Sequence, residues 1–96
     1  MSAYISLINW TDQGIKDVKN TVARAKAVSQ LLEKNGGRQI GVWWTLGSYD
    51  LVYIFEAPND EIATRVLATV GMSGNVRTQT LRCFSEEEAA RIFSGL

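Results

Sequence analysis

The run Tyr4 to Trp10 (Tyr-Ile-Ser-Leu-Ile-Asn-Trp) is rich in β-branched and aromatic residues and predicts a strand. After Thr11-Asp12-Gln13-Gly14, which offers Thr or Asp as an N-cap, the apolar positions change period. Ile15, Val18, Val22, Ala25, Val28, Leu31 and Leu32 recur mostly three and four apart, with Lys16, Asp17, Lys19, Arg24, Lys26 and Glu33 between them. That spacing predicts one long amphipathic helix, ended by Asn35-Gly36-Gly37. Gln39–Leu46 and Tyr49–Glu56 read as two further strands joined at Gly47-Ser48, a tight turn with positive φ at the glycine. Pro58-Asn59-Asp60-Glu61 starts a second helix with the apolar stripe Ile62, Ala63, Val66, Leu67 and Val70, and Gly71–Asn75 stop it. Val76–Phe84 is the last strand. Ser85-Glu86-Glu87-Glu88 is a capping box for a short terminal helix with Ala89, Ile92, Phe93 and Leu96 on one face.

The order strand, helix, strand, strand, helix, strand is the ferredoxin-like βαββαβ motif, an α+β fold. Right-handed crossovers place the strands as 4-1-3-2 in an antiparallel sheet with both long helices on one face. The chain has no repeats and no linker, so 1–96 is expected to be a single domain.

The hairpin register separates two faces. One carries Ile40, Val42, Trp44 and Leu46 with Tyr49, Leu51, Tyr53 and Phe55; the other carries Gln39, Gly41, Trp43 and Thr45 with Asp50, Val52, Ile54 and Glu56. Neither is wholly polar. A contiguous apolar face of this size exceeds what soluble monomers usually expose, so a homo-oligomer, at least a dimer, is expected. The aromatic face of Trp44, Leu51, Tyr53 and Phe55 is the expected interface. The mixed face is expected under the helices, with an apolar centre and few polar groups to orient a small ligand.

Two stretches carry a family likeness: Trp44-Thr-Leu-Gly-Ser-Tyr-Asp-Leu-Val-Tyr-Ile-Phe-Glu-Ala-Pro-Asn-Asp60 and Gly74-Asn-Val-Arg-Thr-Gln-Thr-Leu-Arg82. Together they resemble the GYD-domain family of small bacterial proteins, and Thr11-Asp-Gln-Gly14 with Arg24 is similar to its first-helix pattern. The resemblance implies a relative of the dimeric α/β-barrel proteins, with two sheets packed face to face. It implies little about activity. Cofactor-free oxygenases of that barrel class use a Trp and an Asn near the substrate, which Asn9 beside Trp10 faintly echoes.

Composition then narrows the chemistry. Ten Lys and Arg balance ten Asp and Glu, so no basic face for nucleic acid is expected. Tyr53 and Phe55 imitate the stacking pair of an RNA-recognition sheet, but without that module's glycine-and-basic pattern. The absence of His removes Ser-His-Asp and Cys-His catalysis, His-ligated haem and most catalytic zinc sites, so no metal or cofactor is expected. A single Cys, no basic apolar leader and no membrane-length apolar run suit a cytoplasmic, non-membrane protein.

The candidate chemistry centres on the hairpin turn. Gly47 and Tyr49 are expected to shape it, and Asp50 is either an acceptor for nearby backbone N–H groups or the candidate catalytic base at a pocket mouth. Thr45, Trp43, Thr78 and Thr80 are the further ligand-binding candidates. Glu56 lies about 20 Å from Asp50 along the strand, too far to share a substrate bond, and is expected to meet an arginine of the last strand or cap the second helix. Three functions compete: a binding module for a small amphipathic molecule, a cofactor-independent monooxygenase- or isomerase-like enzyme with Asp50 or a Tyr as proton acceptor, and a purely structural assembly protein.

Overall fold

A computed structural model describes residues 1–96. Its elements are β1 (Ser2–Trp10), α1 (Asp12–Lys16), a single 3-10 turn (Val18–Asn20), α2 (Thr21–Lys34), β2 (Arg38–Trp44), β3 (Leu51–Ala57), α3 (Asp60–Met72), β4 (Val76–Cys83) and α4 (Glu86–Phe93). The four antiparallel strands lie in the order β2-β3-β1-β4, the expected 4-1-3-2 read from the other edge. The ferredoxin-like layout holds. No helix is long and apolar enough to cross a membrane.

The expected first helix is divided. Thr11 caps α1, its Oγ1 accepting from the Gly14 N–H at 3.1 Å. Gly14 is pressed against the start of β4: a Cβ there would sit 1.9 Å from the Asn75 carbonyl oxygen. That contact fixes α1, whereas the direction of α2 is set by Leu32, fully buried against the sheet. The 3-10 turn absorbs the change of axis. Arg24 stitches the break, donating to the carbonyls of Asp17 at 2.8 Å and Gly14 at 3.1 Å.

The hairpin pairs as expected near its turn, Trp44 with Leu51 and Trp43 with Val52, but slips at Ile40, so that Gln39 and not Ile40 faces Phe55. The slip adjoins Gly41, whose missing Cβ leaves room for the Trp43 ring; a methyl there would meet it at 2.4 Å. Glu56 meets Arg38 of β2 at 2.5 Å, not the last strand or a helix end as the sequence suggested.

The helices cover the opposite face from the one expected. Tyr4, Ser6, Leu51, Tyr53, Phe55 and Ala57 are buried beneath α2 and α3, which contribute Leu32, Ala63 and Val66. Tyr4 stacks on Phe55 with ring centroids 5.0 Å apart, and Tyr53 leans on Phe55 at 5.7 Å. The expectation that Leu51, Tyr53 and Phe55 form an interface is therefore corrected. The reason is area: burial stabilises in proportion to apolar surface, so the all-apolar face becomes the core within each chain. Trp44 sits at its margin, partly exposed, its Nε1 donating to Thr21 Oγ1 at 3.0 Å.

The uncovered face presents Ile5, Leu7, Val52 and Ile54, with Trp43 and Leu81 more exposed. The terminal helix α4 forms its capping box, with Ser85 and Glu88 exchanging two 3.0 Å bonds, but does not fold back as a lid. Ile92, Phe93 and Leu96 remain exposed.

Two glycines test this packing by different routes. Gly14→Ala is expected to destabilise by about 1–3 kcal/mol, because rigid backbone stands where the methyl would go. Gly47, at φ +116° with open space around it, should lose about 1–3 kcal/mol on replacement by Val through backbone strain alone. Denaturant midpoints measure both; an unchanged midpoint for Gly14→Ala would mean α1 does not lie against Asn75.

Candidate functional site

Between the sheet and helices α2 and α3 lies a cavity of about 250 Å³. Its floor is the aromatic face of the sheet: Ile8 and Trp10 of β1, Leu51, Tyr53 and Phe55 of β3, and Thr78 of β4. Strand alternation puts these side chains on one side, and Val28, Leu31, Val66 and Val70 close over them because their helical spacing turns them down. No carboxylate lines the cavity.

Most of the polar lining is already committed. Thr69 Oγ1 donates to the Arg65 carbonyl at 2.8 Å, Ser73 Oγ donates to the Val70 carbonyl at 2.7 Å, and Thr21 accepts from Trp44. Arg24 is spent on the Gly14 and Asp17 carbonyls and lies 3.4 Å from the Asp17 carboxylate. Two buried groups are left over: Trp10 Nε1 and the Tyr53 hydroxyl have no hydrogen-bond partner. Tyr53 is only 5% exposed. An unpartnered buried donor costs about 1–3 kcal/mol, and neither atom is open to the cavity.

Burial pushes the Tyr53 phenol from 10.0 up to about 12; nearby Ser29 offsets a little without reaching hydrogen-bond geometry, and Glu33 adds to the rise. The phenol is thus a donor at neutral pH and a poor base. Tyr4 is also raised, chiefly by burial and then by its 2.5 Å bond to Asp60, but it lies outside the cavity.

The cavity lies between sheet and helices, as the sequence suggested, but over the other face. Thr78 alone of the proposed ligand residues lines it. Thr80 bonds Ser6 across the ladder at 2.8 Å, Thr45 donates to the Tyr49 carbonyl at 2.6 Å, and Trp43 stands on the uncovered face. Asp50 is outside the cavity: its Oδ2 accepts from the Trp10 backbone N–H at 3.0 Å and from Asn9 Nδ2 at 3.5 Å. Its own N–H donates to the Ile8 carbonyl at 2.8 Å, so it ties the hairpin turn to β1. The pocket mouth expected at Asp50 is not there. Gly47 has its positive φ, and Tyr49 reaches across to Gln79 at 3.2 Å. Trp10 and Arg24 are the lining residues missed; the even-numbered parity of Tyr4, Ser6, Ile8 and Trp10 on β1 carried the signal for the first.

The Thr11–Gly14 segment clamps one end of this space. Thr11 N–H donates to the Asn75 carbonyl at 3.0 Å, Thr11 Oγ1 to the Gly74 carbonyl at 2.5 Å, and Gln13 Nε2 to Ser73 and Asn75, each at 2.9 Å. The GYD-domain profile matches residues 4–93, which spans both the clamp and the hairpin turn. The chain belongs to the GYD-domain family. A relative from Thermus thermophilus, described as a glutamine synthetase and cystathionine beta-lyase binding protein, is 33% identical over 82 residues, covering 84% of this chain and 86% of the relative. The crystal structure of TTHA0845, also from Thermus thermophilus, matches with a TM-score of 0.55 and 23% identity, over 88% of this chain and 95% of that one. The structural match supports the fold.

Removing the spare hydroxyl should help the empty protein. Tyr53→Phe is expected to raise stability by about 1–2 kcal/mol, since it deletes an unpartnered buried group and keeps the ring. It should also flatten the alkaline limb. Below pH 10 the phenol is protonated in both states and contributes no slope. Between 10 and about 12 the unfolded chain gives up its proton first, so stability falls by about 1.4 kcal/mol per pH unit through this group. Thermal melts of both proteins across that range measure it; equal slopes would show that Tyr53 is not buried as described.

Proposed function

We propose that the protein is a homo-oligomeric binding module that holds a small amphipathic molecule between its sheet and helices. The observation that carries this is the largely apolar cavity itself, walled by Trp10, Leu51, Tyr53 and Phe55 with Thr78 as a polar group on its floor. Small-molecule sites combine an apolar lining with a few polar groups that fix orientation. The raised phenol favours binding over the enzymatic alternative, because a tyrosine that keeps its proton to about pH 12 makes a poor proton acceptor at neutral pH. The Thermus thermophilus relative is described as a binding protein for glutamine synthetase and cystathionine beta-lyase, which favours a binding role over an enzymatic one while naming proteins as what that relative binds. One unpaired cysteine, Cys83, suits the reducing cytoplasm.

The second part of the proposal concerns the uncovered sheet face. Ile5 pairs with both Ile54 and Leu81, and Leu7 with Val52, giving a contiguous apolar ladder with no cover from its own chain. A second copy packed face to face buries that ladder by an isologous contact.

Two measurements test the proposal. Light scattering should give at least a dimer at micromolar concentration. Ile54→Lys should yield a folded monomer, because the side chain lies outside the core; a monomeric parent, or an Ile54→Lys variant still assembled, would end the face assignment. Native mass spectrometry of protein purified without denaturation should show a bound small molecule, lost in the cavity-filling variant Val70→Trp. Equal masses in both, with no adduct, would end the binding reading.

A further inference from the structure

Resting on the face-to-face reading of the dimer, we infer that α4 is an exchanged arm: its apolar stripe lies on the second copy of the chain, with Glu86 meeting the partner's Arg77. The helix itself supplies the first argument. Isolated helices shorter than about 12–15 residues are marginal in water and are held by tertiary packing of an apolar face. α4 has eight residues and a complete capping box, yet it packs closely on no other element of its own chain. Its stripe of Ile92, Phe93 and Leu96 is 45, 63 and 102% exposed. The protein is 49 Å long against about 30 Å for its nine-residue strand, as fits a helix carried off the end of the sheet.

Area favours a second copy as the cover. Four strands of seven to nine residues, spaced about 4.8 Å apart, present a face of roughly 500 Å². Stable interfaces bury about 800 Å² per partner, so the sheet face alone makes a small one. A two-fold contact counts each arm twice and enlarges it. The apolar surface is also continuous, since exposed Leu81 on the uncovered face and exposed Phe84 lead straight into the helix.

Charge sets which end of the partner the arm reaches. Glu88 is spent on the cap, and helical spacing turns Glu87 and Arg91 away from the stripe, which leaves Glu86 flanking it. A two-fold axis parallel to the strands would lay β4 over the partner's β2 and bring the arm to the partner's Arg38, a cation that Glu56 already neutralises at 2.5 Å. An axis across the strands lays one β4 over the other in reverse. The arm then meets Arg77, exposed at the start of β4 and without an ion pair. Beside Arg77 runs a shallow groove lined by Ala68, Gly71, Met72 and Val76, a seat for the stripe.

Analytical ultracentrifugation measures the dimer dissociation constant of each variant, with circular dichroism as the check on folding. Phe93→Lys changes a side chain already exposed in its own chain and should weaken the dimer by about tenfold or more. Arg77→Glu and Glu86→Arg should each weaken it several-fold. An equal mixture of the two should form a heterodimer close to the parent's affinity, because every Arg then faces a Glu across the interface. Glu87→Arg removes a similar charge from the far side of the same turn and should change little. If Phe93→Lys dimerises like the parent while Ile54→Lys is monomeric, the arm is overturned and the sheet-face reading stands. If Arg77→Glu and Glu86→Arg restore affinity only when placed in one chain, α4 lies on its own chain and exchange is overturned. Equal losses for Glu86→Arg and Glu87→Arg overturn the ion pair. A parent that is monomeric at every concentration overturns the arm together with the face reading.

Discussion

The row of rings Tyr4, Phe55 and Tyr53 decides where everything else goes. Side chains on a strand alternate, so committing these three rings to one face commits every even position of β1 and every odd position of β3. The helices must then cover that face, and their apolar stripes must point at it. The cavity follows from the same choice. Leu32, Ala63 and Val66 pack with the rings in the core, and Leu32 and Val66 also line the cavity, which reaches Trp10 and Thr78. The void lies in one chain and needs no partner to form its walls.

The second constraint is the close approach of Gly14 to Asn75. It anchors the connection after β1 to the one before β4, so that β1, α1 and the start of β4 are tied together. Arg24 extends that link to α2 by donating to the Gly14 and Asp17 carbonyls at the break in the helix. Asp50 does the corresponding work on the hairpin side by gripping the Trp10 backbone. Trp10 is thus fixed from two directions, by the Asp50 carboxylate on its own N–H and by Thr11 beside it.

The fold was largely legible because each element carried its own local signal. The Asn59 cap, the Ser85–Glu88 box and the glycine after Asn35 are short-range chemistry, and the structure has each where the sequence put it. Where information from elsewhere in the chain was needed, the sequence misled. The break after Lys16 comes from a backbone contact to Asn75, far away along the chain, which no helical period records. The hairpin pattern separated its two faces correctly, yet did not say which one the helices choose. Comparing their apolar content would have favoured the aromatic face, but the expectation of an exposed interface drew the aromatics outward. The site moved with that error: Asp50, Thr45 and Trp43 followed one face, and the cavity followed the other.

What separates architecture from function here is the unspent hydrogen bond. Phenylalanine at position 53 would preserve the tilted contact with Phe55 and remove a buried hydroxyl that no protein group satisfies. On stability alone it is the better residue. The same holds for the ring nitrogen of Trp10, where an all-carbon aromatic would fill much of the space without a donor to satisfy. Both residues lend their rings to the wall of the same cavity, while the two polar atoms themselves are closed off from it. Functional sites are where local stability rules give way, and the aromatic wall of this cavity, with two buried polar atoms behind it, is the place in this fold where they do.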